Sequence, residues 1–308
     1  MGLDRNGTKC ILYAKKAGVD FSRAAHVGRQ DLNVALPHLK KNIEAFGHRV
    51  DDSSMQRIYE ADQGFADEFF RFLGAGTVES FDASNYEGAT HIHDMNQPIG
   101  SEFKSRYSLV LDSGTLEHVF NFPVALKNCM EMVEVGGHYL GITPTNNFSG
   151  HGFYQFSPEL FFGVFAEKQG FELQRLIAFE DRPNAQWYEV QSPAAVNARI
   201  TLRNKRPSYL FVIAKRTAAF EPFRMAPQQT DYVAEWALQD PASKALARKR
   251  ARAPFTASLA ERTRKSLQQS IRSLFRLGNP IERFDYLGFS PSLFRPINPT
   301  ADHGRGSE

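Results

Sequence analysis

The stretch Tyr107–His118, which reads YSLVLDSGTLEH, decides the fold. It opens with an apolar run, reaches an acid at Asp112, turns through a Ser-Gly-Thr segment, and becomes helical from Leu116. A short apolar run that ends in polar residues is typical of a buried strand delivering side chains to its carboxyl end. In open α/β sheets the ligand crevice lies at those ends, so the stretch predicts a site there.

The same stretch resembles the fourth-strand motif of class I S-adenosylmethionine (SAM)-dependent methyltransferases, whose close variants read hydrophobic-Asp-x-x-x-hydrophobic-Glu-His. The resemblance implies a Rossmann-like, doubly wound, seven-stranded α/β sheet whose last strand is antiparallel. It also implies S-adenosyl-L-methionine as cofactor and methyl transfer as the activity. On periodicity alone, residues 55–216 already predict an α/β sheet.

Composition is that of a soluble globular protein: 308 residues, 42% hydrophobic and 23% charged. There is no apolar run of about 18 residues, and the first residues lack the apolar core of a signal peptide. Two cysteines, Cys10 and Cys129, are too few for a disulfide framework. We therefore expect a cytoplasmic protein.

Charge divides the chain unevenly. Residues 241–308 hold 13 Lys/Arg against 5 Asp/Glu, whereas the rest holds 24 against 29. Residues 242–277 predict a basic helix interrupted at Pro254, with an amphipathic second half. This helix could pack on the body, or it could make a weak contact with a membrane surface or a phosphorylated acceptor. We expect no nucleic-acid binding, because a net charge of +3 is a weak electrostatic footprint.

The pattern predicts four segments. Residues 1–54 are expected to form an N-terminal helical extension, either a lid over the site or a packing element. Residues 55–216 are expected to form the methyltransferase-like domain, residues 217–297 a C-terminal helical extension, and residues 298–308 a disordered tail.

The first strand of the domain is predicted at Arg57–Ala61, before a helix at Asp67–Leu73. The family carries Glu/Asp-x-Gly-x-Gly-x-Gly at this point. The resemblance therefore places Glu60 and Gly64 in the cofactor loop, with Asp62 standing where the first glycine is expected. Glycines there let the backbone approach a ligand closely, and Asp62 adds bulk and charge.

Two further strands are predicted at Thr77–Phe81 and Thr90–His93, and each is followed by an acid. The resemblance implies that Asp82 holds the ribose, that Asp94 holds the adenine while Met95 packs on its ring, and that Asp112 closes the cofactor pocket. Any one of these acids alone is an ordinary strand-end residue. Three successive strands ending in Asp favour a polar crevice.

The remaining elements alternate between helix and strand. A helix is predicted at Phe122–Val133 and another at Pro158–Phe165. Strands are predicted at His138–Pro144, Phe171–Phe179 and Ser208–Ala214.

Two histidines are candidate bases for a hydroxyl acceptor, His118 and His151. His118 could instead be a helix-face residue that orients a loop, and His151 a loop residue that caps the Phe-rich segment. The candidate substrate contacts are Glu117, Asn146, Tyr154 and Gln155. Histidines and cysteines do not occur at metal-ligand spacing, so no metal is predicted.

The sequence thus predicts a SAM-dependent methyltransferase that methylates oxygen on a small molecule or glycan. Asp-Ser-Gly-Thr after strand four, in place of Asn/Asp-Pro-Pro-Tyr/Phe, argues against methylation of nucleobase nitrogen. Because of Asp62, the alternative is a catalytically inactive methyltransferase-like binding or scaffold protein. The oligomeric state is not predicted.

Overall fold

Nine strands form one sheet in the order β3-β2-β1-β4-β5-β8-β6-β7-β9. The structure, a computed structural model, describes residues 2–196, 198–230 and 288–301. The strands are β1 Arg23–Val27, β2 Thr77–Asp82, β3 His91–Ile92, β4 Tyr107–Ser113, β5 Val133–Asn146, β6 Phe171–Glu180, β7 Trp187–Val190, β8 Ser208–Arg216 and β9 Phe294–Ile297. The helices are α1 Arg5–Lys16, α2 Leu36–Ala45, α3 Asp52–Glu60, α4 Asp67–Phe72, α5 Phe122–Met132, α6 Pro158–Val164 and α7 Pro193–Val196.

Strands β1 to β5 are parallel, and β8 runs antiparallel between β5 and β6. The predicted fold class is therefore confirmed, a doubly wound Rossmann-like sheet with the last predicted strand antiparallel. The strand count differs. The described residues form nine strands instead of the seven predicted, because β7 and β9 extend the edge beyond β6.

Strand β4 lies between β1 and β5 inside the sheet, and all of its residues are buried. A strand covered on both faces reads as a nearly continuous apolar run, which is why its position was clear from the sequence. Buried residues of α1, α2, α3 and α4 pack on one face of the sheet, and those of α5 and α6 pack on the other.

The predicted first strand is wrong. Residues 57–60 belong to α3, whose N-cap residue Asp51 accepts a hydrogen bond from the backbone N–H of Ser54 at 2.7 Å. Met55 and Ile58, three positions apart, bury one helical face. The first strand is instead β1, which pairs with β2 and β4 in the middle of the sheet. Residues 1–54 are therefore not only a helical extension, and the domain boundary at residue 54 is wrong.

The C-terminal predictions also need correction where the chain is described. Strand β9 lies inside residues 217–297, which were expected to be helical, and it pairs with β7. Residues 298–301 form a turn in which the Thr300 carbonyl accepts a hydrogen bond from the Lys16 ammonium at 2.7 Å, so disorder from residue 298 is wrong for them. The predicted basic helix at 242–277 and residues 302–308 lie outside the described residues. No helix of the described part has the length and apolarity to cross a membrane.

Candidate active site

The carboxyl ends of the central strands meet at one edge of the sheet. Val27, the last residue of β1, pairs with Phe81 of β2 on one side and with Asp112 of β4 on the other. The loop after β1, the acid Asp82 and the turn after β4 are therefore neighbours. This is the position at which doubly wound sheets bind ligands.

Gly28 is the residue on which the loop after β1 depends. Its φ is +71°, and a Cβ placed there would lie 2.6 Å from Thr115 Oγ1, so only glycine fits without a shift. Its N–H donates to the Phe81 carbonyl at 2.8 Å, and the Thr115 hydroxyl donates to the Val27 carbonyl at 2.7 Å. The loops after β1, β2 and β4 are thus tied together at this glycine.

The family's glycine pattern, transferred to β1, begins at His26. That register puts Gly28 at the first glycine, Gln30 at the second and Leu32 at the third. The Gln30 side chain is buried, and its amide donates to the Val27 and Gly28 carbonyls, both at 3.1 Å. The loop is therefore held by its own side-chain amide where the family pattern has a second glycine.

The structure moves Glu60 and Gly64 away from the strand end where the sequence put them. Glu60 is the exposed last residue of α3, and its carboxylate accepts from the Gln56 side chain. Gly64 ends a short 3-10 helix, and its carbonyl accepts from the Leu32 N–H at 2.8 Å. Gly64 thus borders the loop after β1, whereas Glu60 does not stand after a strand.

Arg29 fixes the same loop from outside. Its guanidinium bonds Asp67 Oδ2 at 2.8 Å and the Glu87 carbonyl at 2.9 Å, and it lies 4.0 Å from the centre of the Phe65 ring. These contacts could not be predicted from the sequence, because residues so far apart leave no spacing signal.

Asp82 and Asp94 differ in how they are held. Asp82 is half-buried at the end of β2 and accepts from the Ser84 N–H at 3.1 Å. Asp94 is exposed and accepts from the backbone and side-chain N–H groups of Asn96 at 2.9 and 2.8 Å, and these bonds lower its pKa. Met95 is buried in the core on the α5 side of the sheet. The cofactor roles of all three stay predictions.

Asp112 holds the turn that follows β4. It is fully buried, and its Oδ1 accepts from the N–H groups of Thr115 and Leu116 at 3.0 and 3.1 Å. Burial raises the pKa of this carboxyl group. The acid therefore orients the short 3-10 helix Leu116–His118 that carries the next polar residues.

Glu117, His118 and His151 come together at this turn. Glu117 is fully buried, neither of its carboxylate oxygens has a hydrogen-bond partner, and Oε1 lies 3.4 Å from His151 Nε2. The rings of His118 and His151 are 4.8 Å apart and meet edge to face. Burial, and then the charge of Asp112, raise the pKa of Glu117; partial burial and His151 lower the pKa of His118.

The sequence predicted no metal set, and here the structure differs. Within the described residues, one group of His, Cys, Asp and Glu side chains places its possible ligand atoms within 4.8 Å of one another, and it consists of Glu117, His118 and His151. The spacing of residues along the chain could not predict this group, because His151 lies in the loop after β5.

That loop lies directly on Glu117. The Phe153 and Tyr154 N–H groups donate to the Glu117 carbonyl at 2.8 and 3.2 Å, and a Cβ at Gly152 would lie 2.8 Å from that oxygen. The Tyr154 hydroxyl donates to the Phe120 carbonyl at 2.7 Å. These contacts fix the position of His151 over the turn.

Two predicted substrate contacts are held within the protein. The Gln155 side-chain carbonyl accepts from the Phe148 N–H at 2.7 Å. The Asn146 side chain donates to Asn204 Oδ1 at 2.8 Å and lines a separate cavity of about 160 Å³. Glu117 and His151, in contrast, line a larger cavity, so the structure brings these two together and leaves Asn146 apart.

The larger cavity has a volume of about 260 Å³ and lies between the start of α1 and the ends of β4, β5 and β6. It contains three carboxyl groups, those of Asp4, Glu117 and Asp181, beside the aromatic rings of Phe179 and Tyr209. Burial and the nearby Asp4 raise the pKa of Asp181. No sequence pattern predicted Asp4, Asp181 and Tyr209 as site residues, because they come from three separate parts of the chain.

No protein-family model matches the chain, and no curated protein matches its sequence. Among solved structures, a Bacillus halodurans protein assigned as a methyltransferase is 12% identical, with 69% of this chain and 100% of that chain covered and a TM-score of 0.36. A SAM-dependent methyltransferase from Aquifex aeolicus is 10% identical, with 66% and 88% covered and a TM-score of 0.35. The Burkholderia thailandensis 1,6-didemethyltoxoflavin-N1-methyltransferase, solved with 1,6-didemethyltoxoflavin and S-adenosylhomocysteine, is 14% identical, with 70% and 78% covered and a TM-score of 0.34.

These similarities concern the fold alone. The chemistry of this chain depends on its own residues at the carboxyl edge of the sheet.

Proposed function

We propose that the protein is a SAM-dependent methyltransferase that methylates a hydroxyl oxygen of a small molecule or glycan. One observation carries the proposal: Glu117, His118 and His151 converge beside a cavity at the carboxyl end of β4. A hydroxyl acceptor needs a group that takes its proton, and these side chains stand where an acceptor can enter.

The residues of the β1–β3 edge support SAM as the cofactor. Asp82 would accept hydrogen bonds from the ribose hydroxyls, Gly28 leaves the loop backbone open, and Asp94 would meet the adenine. The carboxyl groups of Asp4, Glu117 and Asp181 line the cavity. Burial raises the pKa of Glu117 and of Asp181, and a cation such as the sulfonium would favour their ionised forms and be attracted by them. Bound SAM would supply an already activated methyl group, so the protein mainly positions the two reactants.

His151 is the preferred base. Its side chain is 42% exposed and reaches the cavity, and Nε2 is 3.4 Å from Glu117 Oε1. The imidazole would take the hydroxyl proton, and the Glu117 carboxylate would stabilise the resulting imidazolium. His118 then orients the His151 ring. The exposed pair Phe120 and Phe153, whose ring centres are 5.8 Å apart, offers flat surfaces for a ring of the acceptor.

We also propose a cytoplasmic location, which the two free, buried thiols Cys10 and Cys129 support.

The second candidate is a methyltransferase-like binding protein without catalysis. The observation that favours it is the loop after β1, where Gln30 and Leu32 take the places of two glycines and His26 that of the acid. Gln30 binds the loop carbonyls itself, and this leaves less of the backbone open to a ligand.

Isothermal titration with S-adenosylhomocysteine separates the two candidates. The methyltransferase proposal expects micromolar binding by the unmodified protein, a large loss in Asp82→Ala, and unchanged binding in Glu60→Ala. Glu60 is the matched control, because it is an acid from the sequence-predicted loop that the structure places on an exposed helix end. Absence of binding at millimolar ligand in the folded protein would contradict the proposal and favour the second candidate.

A further inference from the structure

The cluster of Glu117, His118 and His151 at the β4 turn contains three potential metal ligands. It differs from the ordinary ion pairs of this protein in how its carboxylate is held. The half-buried pair His91 and Glu79 is a useful contrast, with Nε2 and Oε2 2.8 Å apart. Glu79 also accepts from the Tyr107 hydroxyl at 2.5 Å and from Arg106 at 2.9 Å, so its carboxylate is satisfied. The Glu117 carboxylate accepts no hydrogen bond from a hydroxyl or a guanidinium group.

The unsatisfied carboxylate of Glu117 requires an explanation. It is fully buried, both oxygens lack hydrogen-bond partners, and the side chain faces the 260 Å³ cavity. An unpartnered buried carboxylate costs stability unless an ion or a hydrogen-bond donor meets it. His151 also lines the cavity, with Nε2 3.4 Å from Glu117 Oε1, and a ring nitrogen of His118 lies within 4.8 Å of both side chains.

We propose that Glu117, His118 and His151 bind a divalent first-row transition-metal ion. One carboxylate and two imidazoles are a donor set suited to Zn²⁺, Co²⁺, Fe²⁺ or Mn²⁺, whereas Mg²⁺ and Ca²⁺ prefer oxygen alone.

The distances are close to those of such a site. Ligand atoms at about 2.1 Å from one ion lie roughly 3.0–3.4 Å apart. The Glu117–His151 distance of 3.4 Å already meets this, and the whole set lies within 4.8 Å. His118 is exposed, so a change of its side-chain torsions can close the remaining gap.

The metal would change the chemistry of the proposed reaction, and this part of the inference rests on the proposed function. Three protein ligands leave positions open toward the cavity for an acceptor hydroxyl. A bound cation would lower the pKa of that hydroxyl, so its proton would pass to solvent. His151 would then act as a ligand, in place of the base role proposed for it without a metal. The oxygen would form a bond to the methyl carbon as the bond from carbon to sulfur breaks, and the sulfonium would become the neutral thioether of S-adenosylhomocysteine.

Titration of the full-length protein, freed of metal by chelation, with Co²⁺ and Mn²⁺ tests the site without any acceptor. We expect one equivalent to bind, with the visible absorption of Co²⁺ showing coordination by nitrogen and oxygen. Glu117→Gln and His151→Ala should each weaken binding by roughly 10- to 100-fold or more. The matched control is His91→Ala, which removes an imidazole from the other His–Glu pair and should leave the affinity unchanged.

Each outcome decides the proposal. Binding that is absent, or that survives Glu117→Gln and His151→Ala in chains with normal melting temperatures, overturns it. Binding that is lost equally in His91→Ala also overturns it, because the ion would then be bound elsewhere. S-adenosylhomocysteine titration of the same samples separates the metal site from the proposed function. The cofactor can bind to a protein that binds no metal, and the metal can bind to a protein that binds no cofactor.

Discussion

The loop after β1 and the turn after β4 stand side by side at one edge of the sheet, yet they depart to different degrees from the methyltransferase motifs that the sequence resembles. The β1 loop keeps Gly28 alone and fills the second glycine position with Gln30. The β4 turn keeps Asp112, Glu117 and His118 and gains His151 from the next loop. Under the proposed function, the polar side chains would be concentrated on the acceptor side, while the cofactor side would depend on one glycine and on strand-end acids.

Each region also contains a buried polar side chain without a hydrogen-bond partner, and the two differ in surroundings. The His26 ring lies 4.4 Å from the Phe70 ring in the helix layer, with both nitrogens unpartnered. Glu117 lines the cavity. A polar group that faces an apolar helix layer lowers the stability of the fold, whereas one that faces a cavity is available to a ligand. The following predictions test that distinction.

The largest effect is expected at His26, whose pKa is lowered to about 3 by burial. The unfolded chain takes up a proton near pH 6.5, so stability falls as pH drops from about 6.5 toward 3 and is fully present above that range. His26→Leu removes this dependence. Relative to the unmodified protein, its free energy of unfolding should gain about 3 kcal/mol between pH 7 and pH 4. Urea denaturation of both proteins at pH 7 and pH 4 measures this difference in unfolding free energy. Equal pH dependence of the two proteins would refute the lowered pKa of His26.

Gly28→Ala should be the next most damaging change. It combines a φ of +71° with a Cβ 2.6 Å from Thr115 Oγ1, so we expect a loss of about 2–3 kcal/mol in unfolding free energy. Gly64→Ala is the matched control, because its φ is +90° and its Cβ meets nothing within 4 Å, so only the backbone strain of about 1 kcal/mol remains. Thermal melting compares them. A larger loss of stability in Gly64→Ala than in Gly28→Ala would favour the cofactor loop that the sequence predicted around Gly64.

Asp82→Ala should weaken S-adenosylhomocysteine binding by about 10- to 100-fold, because hydrogen bonds to a charged group are worth about 1.5–3 kcal/mol. Asp94→Ala should cost less, since this exposed carboxylate already caps its own turn. Titration calorimetry gives both values. The reverse order would show that the β3 end, and not the β2 end, is the main cofactor contact.

The smallest expected change in stability concerns Glu117. Replacing this unpartnered buried acid with methionine should raise the unfolding free energy by about 1 kcal/mol in metal-free protein. The same change should abolish methyl transfer. Chemical denaturation beside an acceptor assay checks both; a strongly destabilised variant would show that Glu117 is structural.

The sequence predicted the β4 half of the fold well and the β1 half poorly, for physical reasons. Strand β4 is a continuous buried run, and its polar residues follow directly in the chain. Strand β1 contains Arg23, two alanines and His26, so it has little β propensity and no apolar alternation. The short apolar stretch at Ile58 then suggested a strand, although Asp51 and the spacing of Met55 and Ile58 indicate a helix.

The site was predictable in part. Glu117 and His118 are adjacent, and His151 was a candidate, but only the fold brings the loop after β5 onto the turn after β4. No local sequence pattern predicts that the carboxyl groups of Asp4 and Asp181 line the cavity.

Hydrogen–deuterium exchange with and without S-adenosylhomocysteine tests the central claim, that the cofactor binds at the carboxyl ends of β1 and β2. We predict slower exchange at residues 28–32 and 82–84 on binding, with no change at residues 57–61. Protection at 57–61, or unchanged exchange at 28–32 under saturating ligand, would contradict it.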